Sequence, residues 1–349
     1  MRRRLAVVLI LLLATAFAVT VQAARDRRSH PLPSFVRVGS DAGLDSPQGA
    51  ASREFLRLLE SRGGGRVVVR PFLDGSFGNE ETLAPKVQQG IVEAAVLGRP
   101  LWRFDPAWQM FDLPFVVRSR GSADRLWAEV GPELTRRLRE RGLVLAAVWD
   151  GGTVAVDARH PLASAQDWQG LRLFSGLSPA GARAAEGLGA TAAWGALDRE
   201  LESIHSGSVD AFAAPLPEML QGRYGPISGE VLEGYGYRPV LLLFSALWWD
   251  RQPAEVQQLL LTCAQEAAPA ARQAALSAEA QARLTWRQAG VTLAGPPRLP
   301  ALPAAQGQGL QSFERDLSPD LRRSFNEALQ KANFRPDPAT KALGKPATP

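Results

Sequence analysis

Gly65 to Gly90 read GRVVVRPFLDGSFGNEETLAPKVQQG. Val67, Val68 and Val69, with Arg66 and Arg70 outside them, have the composition of a short buried strand, and Pro71 should end it. Asp74-Gly75 and Gly78 supply the turn. Glu80 and Glu81 then fall in the first turn of a helix, where carboxylates complement the dipole. Ile91 to Gly98 (IVEAAVLG) follows as a second buried strand. The order β-turn-α-β is that of a parallel-type α/β unit.

Outward from this unit the same alternation continues. Ser34 to Gly39 reads as a first strand. Pro47 to Arg62 carries Phe55, Leu56, Leu58 and Leu59 at helical spacing and stops at Gly63-Gly64-Gly65. A loop containing Pro and Trp leads to Phe111-Asp112-Leu113-Pro114-Phe115, then a helix and its follower over 122–141 and an apolar strand over Leu143–Trp149. A second lobe starts near Gly151, with a strand at Leu171–Leu173, a helix before Asp210 and a return strand at Val240–Leu247. These elements suggest lobe 1 over 32–150 with part of 240–295, and lobe 2 over 151–239. A long bracing helix over 253–287, interrupted near Pro269, a C-terminal helix within 305–334 and a disordered tail over 335–349 complete the expected organisation.

The first residues read as a targeting segment. Arg2, Arg3 and Arg4 precede an apolar run from Leu5 to Val21, too short for a comfortable membrane span, and Val21-Gln22-Ala23 has the small-x-small form of a cleavage site. Export to the periplasm is expected, with residues 1–24 as signal peptide and the mature chain starting at Ala24 or Arg25. Those three arginines supply three of the five formal positive charges. The basic balance is therefore mostly a targeting feature and gives no reason to invoke nucleic acid. Cys263 is the only cysteine, so an internal disulfide is excluded.

Residues that carry enzymatic chemistry are few. The only histidines, His30, His160 and His205, are too scattered for a metal set. Gly176-Leu177-Ser178 and Gly207-Ser208 lack the frame of a nucleophile elbow, and no phosphate-binding glycine loop opens a helix. Cys263 sits among Leu259, Leu260 and Leu261, which suits packing. An enzyme is not expected, nor any cofactor or metal. Two α/β lobes with a cleft between them suit a small-molecule binder, closing by a hinge.

The Gly65–Gly90 unit, the FDLPF pentapeptide, Asp167-Trp168-Gln169-Gly170-Leu171-Arg172-Leu173, Gly187-Leu188-Gly189-Ala190 and Gly207-Ser208-Val209-Asp210 occur in an order that resembles the DctP-type solute-binding proteins of TRAP transporters, over about residues 35–293. The resemblance implies a two-lobe periplasmic solute-binding fold with an interlobe cleft. It also implies a monomeric receptor that passes an organic acid to the small and large membrane subunits of an ion-coupled permease. A receptor of the same fold that presents its liganded state to a membrane sensor is the alternative.

The resemblance further implies an arginine clamp for a carboxylate, since only guanidinium pairs bidentately, and here this chain departs from the pattern. The family arginines fall at Phe174 and Val154, the glutamate of a lobe-two helix at Arg199, and the asparagine of the return strand at Ser245. Either the ligand is less anionic and meets Phe174 and Val154, or the cation has moved to Arg99, Arg172 or Arg199. Arg172 shares a strand face with Phe174, and Arg99 follows the second strand of the opening unit. Asp41, after the first strand, is a further candidate ligand contact. Trp102, Trp108 and Trp194 read as packing residues before stacking platforms.

Overall fold

The computed structural model describes residues 33–99, 101–176, 178–220, 224, 227, 229–295, 313–315 and 317–333. The expected signal segment, residues 296–312 and residues 334–349, with the expected disordered tail, lie outside them. Among the described residues no helix is long and apolar enough to cross a membrane.

Among the described residues nine strands make one mixed sheet: β1 Ser34–Gly39, β2 Val67–Phe72, β3 Ala94–Leu97, β4 Leu143–Ala158, β5 Arg172–Phe174, β6 Thr191–Ala193, β7 Ala211–Pro215, β8 Glu230–Ser245 and β9 Thr292–Ala294. Their order is β2-β1-β3-β8-β4-β7-β5-β6, with β9 on β8. The helices are α1 Pro47–Gly63, α2 Glu80–Gln88, α3 Arg120–Glu140, α4 Pro179–Glu186, α5 Leu197–His205, α6 Leu216–Met219, α7 Ala246–Trp249, α8 Ala254–Glu266, α9 Ala268–Gln288 and α10 Pro319–Asn333. Two lobes are drawn from this single sheet because β4 and β8, each 16 residues long, run through both. The C-terminal half of β8 pairs β3 in lobe 1, and the C-terminal half of β4 pairs β7 in lobe 2.

The sequence reading ends its strands too early at this crossing. One strand is expected to stop at Trp149 and the return strand to start only at Val240, yet the two stay paired through Gly151-Gly152, Gly236 and Pro239, with register shifts between Asp150 and Thr153 and between Val154 and Val156. Glycine is required there: a Cβ on Gly151 would lie 2.7 Å from the Arg238 carbonyl oxygen, and Gly152 has φ +103°. Asp150 Oδ1 accepts the Gly152 N–H at 2.9 Å and holds the bulge.

Other expectations shift for equally local reasons. β2 is an edge strand rather than a buried one. Its residues alternate, Val68 is 43 % exposed, and Pro71 lies inside the strand because an edge tolerates a missing N–H. β3 is only Ala94–Leu97, with Ile91 exposed. Residues 120–140 form one helix, α3, started by a Ser119 cap, with no follower. The bracing segment is two helices that meet at Ala267, with Pro269 in the first turn of α9 where its missing N–H is harmless.

Lobe 1 buries α2, α3 and α10 on one face of the sheet, around Trp108, Leu134, Leu243 and Phe325. The other face buries α1, α8 and the start of α9 around Phe55, Trp149 and Cys263. The FDLPF segment ties the lobes together. Phe111 belongs to the lobe 1 core and Phe115, at φ +60°, to that of lobe 2. The Phe115 N–H donates to the Tyr235 carbonyl at 2.7 Å, and its ring stands edge-on to Trp168 and Tyr235. Gln109 Oε1 likewise accepts the Ala180 N–H at the start of α4.

Helix α9 braces the crossing through charge. Buried Glu279 accepts from Arg120 Nη1 and Nη2 at 3.0 and 2.9 Å and from the Thr153 N–H and hydroxyl at 2.9 Å, while Arg120 also pairs Asp150. Removing one member leaves the others buried and unpaired. Glu279→Ala should therefore destabilise the protein by about 3–5 kcal/mol, read as a lowered midpoint in chemical denaturation. An unchanged midpoint would show that the network is not holding the brace.

Candidate functional site

The ends of β1 and β3 open side by side into a cleft. After Gly39 the chain turns through Ser40 to Asp41, whose Oδ2 accepts the N–H of Glu80 at 3.1 Å, at the start of α2. Asn79 caps this helix by accepting the Thr82 N–H at 3.0 Å. The cap directs Glu80 inward: Oε1 accepts the Gly98 N–H at 2.7 Å, Oε2 is buried without a partner, and the residue is 5 % exposed. Gly98 follows β3 where a Cβ would meet Gln48 Nε2 at 2.9 Å, and Arg99 comes next, across the gap.

Arg99 reaches lobe 2. Its Nη2 lies 2.7 Å from Glu218 Oε2 and its Nη1 3.6 Å from Glu200 Oε2. The second Glu218 oxygen accepts from Arg238 Nη1 at 2.6 Å, on β8 at the crossing. Four segments thus converge: the loop after β3, helix α5, helix α6 and the crossing strand. Arg238 is 6 % exposed and its Nε has no acceptor. The Tyr224 hydroxyl, near Glu200 and Arg99, is also buried without a partner, its ring stacked on Phe212 at 5.2 Å. Above this floor, Trp102 of lobe 1 and Trp194 of lobe 2 meet edge-to-face at 5.5 Å. The cleft they enclose measures about 830 Å³, within the range of small-molecule sites.

Burial sets the protonation of its acids. Desolvation, with the nearby Asp41 charge, pushes the Glu80 carboxyl up to about 8. Desolvation raises Glu200 to about 7 against the opposing pull of Arg99 and Arg238. Asp41 is raised by burial, with the Glu80 N–H and Arg99 working against that rise. Asp112, bonded by Ser178, is raised by burial to about 6, with Arg238 and Arg99 pulling the other way.

Of the residues expected at the site, Asp41 and Arg99 line the cleft. The other five do not. Phe174 is fully buried in a lobe 2 core with Ile204, Phe212 and Met219. Val154 packs against the neighbouring core. Arg172 makes a two-pronged surface pair with Asp210 at 2.7 and 2.6 Å. Arg199 is exposed on α5, and Ser245 ends β8 beside Gly90, away from the cleft. Trp108 is core, whereas Trp102 and Trp194 face each other at the mouth.

Sequence reasoning missed Glu200, Glu218 and Arg238, and took Glu80 only as a helix-start acid. Arg238 had a signal: a lone charge in the apolar run Tyr235–Leu243 must be paired or exposed. Glu218 in Pro215-Leu216-Pro217-Glu218 offered none.

Residues 38–316 match the model of the DctP family, bacterial extracellular solute-binding protein, family 7. The chain is 26 % identical over 262 residues to the 2,3-diketo-L-gulonate-binding periplasmic protein YiaO of Escherichia coli, covering 73 % of this chain and 79 % of that one. It is 23 % identical over 266 residues to the C4-dicarboxylate-binding periplasmic protein DctP of Rhodobacter capsulatus, covering 74 % and 79 %. A crystal structure of a TRAP periplasmic solute-binding protein from Ochrobactrum anthropi, with a C-terminus bound in the ligand-binding pocket, superposes with a TM-score of 0.79 at 23 % identity, over 90 % of this chain and 99 % of that one.

Two outcomes follow from this geometry. Unfolded, Glu80 titrates near its ordinary 4.5; folded, near 8. The native state therefore holds the extra proton between those values, and stability falls as pH rises through that window. Glu80→Gln should flatten the decline in melting temperature between pH 5 and 8, and parallel profiles for variant and wild type would remove Glu80 as its cause. Phe174→Arg should place a guanidinium in an apolar core rather than in the cleft. The expected cost is about 4 kcal/mol or more, read by denaturation, and a stable variant that gains carboxylate binding would contradict this placement.

Proposed function

The chain belongs to the DctP family of bacterial extracellular solute-binding proteins, and we propose that it closes its two lobes over one small organic solute and passes it to the small and large membrane subunits of a TRAP-type permease. Its family is one of binding proteins rather than enzymes. The observation that carries the reading is the placement of Arg99. A lobe 1 guanidinium held by lobe 2 carboxylates at the base of a cleft makes closure and solute contact a single event. Asp41 and Arg99, joined by Arg238 and Glu218, are the proposed contacts. Export through the N-terminal segment, with a mature end at Ala24 or Arg25, and action as a monomer complete the proposal.

The relatives that bind 2,3-diketo-L-gulonate and C4-dicarboxylates support an organic solute of sugar-acid size or smaller. Such a solute fits within about 830 Å³. Its polar groups would reach Asp41 on one side and the Arg99–Glu218 pair on the other.

A thermal-shift panel of organic acids, polyols and amines tests the reading, because a solute bound only by the native state raises the melting temperature by linkage. At least one class should raise it and reduce the radius of gyration in solution scattering. Arg99→Lys keeps the charge, loses the fork, and should weaken that solute by about tenfold or more. No shift and no compaction with any compound would overturn the receptor reading.

A further inference from the structure

The charge around the cleft is lopsided. Among the described residues that line it, eight are carboxylic acids and three are arginines. All three arginines are already engaged. Arg99 and Arg238 share Glu218 at 2.7 and 2.6 Å, and Arg103 lies 3.7 Å from Glu81 and over the face of Trp102. Arg238 Nε and Arg99 Nη1 leave donors for one carboxylate, whereas a second would have to compete with Glu218, which is tethered at contact distance and loses no translational freedom on pairing. Four of the acids, Asp41, Asp45 and Asp74 from lobe 1 and Asp198 from lobe 2, form no ion pair among the described residues. Acids of one sign on both walls focus a field that admits cations and repels dianions. Trp102 and Trp194 add aromatic surface at the mouth, where the face of an indole attracts a cation.

A second, independent observation points the same way. Glu80 lines this cleft, is more than nine-tenths buried, and holds Oε2 with no hydrogen-bond donor. A buried carboxyl oxygen of this kind lacks the polar partner that burial calls for, and in the ionised form it accepts an N–H group.

We propose that the cleft selects solutes carrying a positively charged nitrogen, amines or amino-carboxylate zwitterions, over dianions of the same size. The inference rests on the receptor reading above and specifies its solute. The positive nitrogen sits between the lobe 1 aspartates, Glu80 and Asp198. In a zwitterion the carboxylate turns toward Arg238 Nε and Arg99 Nη1, the buried guanidinium atoms of the cleft residues that hold no hydrogen bond. Because Glu80 is held protonated near neutrality by burial, a cation beside it releases that proton. Arg99, Arg238 and Asp41 are the other charged groups that act on Glu80, and all three remain in place in the variants below.

Calorimetry with the intact chain tests this with a four-carbon series of equal length: succinate, 4-aminobutanoate and 1,4-diaminobutane. A six-carbon pair, glucuronate and glucosamine, extends it. The ammonium-bearing members should bind about tenfold or more tighter than their carboxylate counterparts. The preference should shrink with added salt, and titrations in buffers of different ionisation enthalpy should show proton release at pH 7 that Glu80→Gln abolishes. Asp74→Asn with Asp198→Asn should weaken the amines about tenfold while the empty protein melts as before. Tighter binding of succinate or glucuronate overturns the inference and leaves the receptor reading standing. Silence from all five compounds also overturns it, and the wider thermal-shift panel then decides the receptor reading separately.

Discussion

The ladder between β4 and β8 is the constraint on which the molecule depends. Each strand donates half its length to one lobe and half to the other, so neither lobe has a complete sheet without the other. An uninterrupted ladder would make one stiff slab. The register shifts around Gly151 and Gly152 break the hydrogen-bond rhythm where the slab must bend, and a bulge bends and twists a strand at small cost. Closure of the lobes as proposed would be absorbed at these few residues, the structural form of a hinge.

Charged groups flank the crossing on both sides. The Arg120–Asp150–Glu279 cluster ties α9 to the back of it, while Arg238 leaves β8 on the cleft side to meet Glu218. The FDLPF strap passes from one core to the other with Phe115 in a left-handed conformation that a phenylalanine adopts only under constraint. Its buried ring and its hydrogen bond to Tyr235 offset that strain. Charge organises the cleft and apolar packing organises the lobes.

The lobes were legible from sequence to a good extent. The opening unit, the helix at Pro47 and the alternation of strands and helices are local patterns, and local patterns survive tertiary context. Errors gathered where one residue type serves two purposes. Gly151-Gly152 signals a turn and also permits a bulge, and only the partner strand decides which. Pro71 ends a central strand but sits inside an edge strand, and strand order is not a local property. The candidate site fared less well. Asp41 and Arg99 follow strands at the cleft end, so element order placed them. Phe174 and Val154 came from a strand resemblance that locates the backbone without telling which way the side chains face.

The order of elements, the family, and the position of Asp41 and Arg99 beyond strand ends follow from sequence alone, because they depend on periodicity and on residues close in the chain. The chemistry of the cleft was decided by the tertiary structure. Glu80 is an ordinary helix-start acid until β3 buries it against Gly98. Arg99 and Glu218 are 119 positions apart, and neither residue type announces the other. Their pairing exists because two shared strands bring the end of one lobe against the helices of the second, where a low dielectric makes each charge depend on its neighbours.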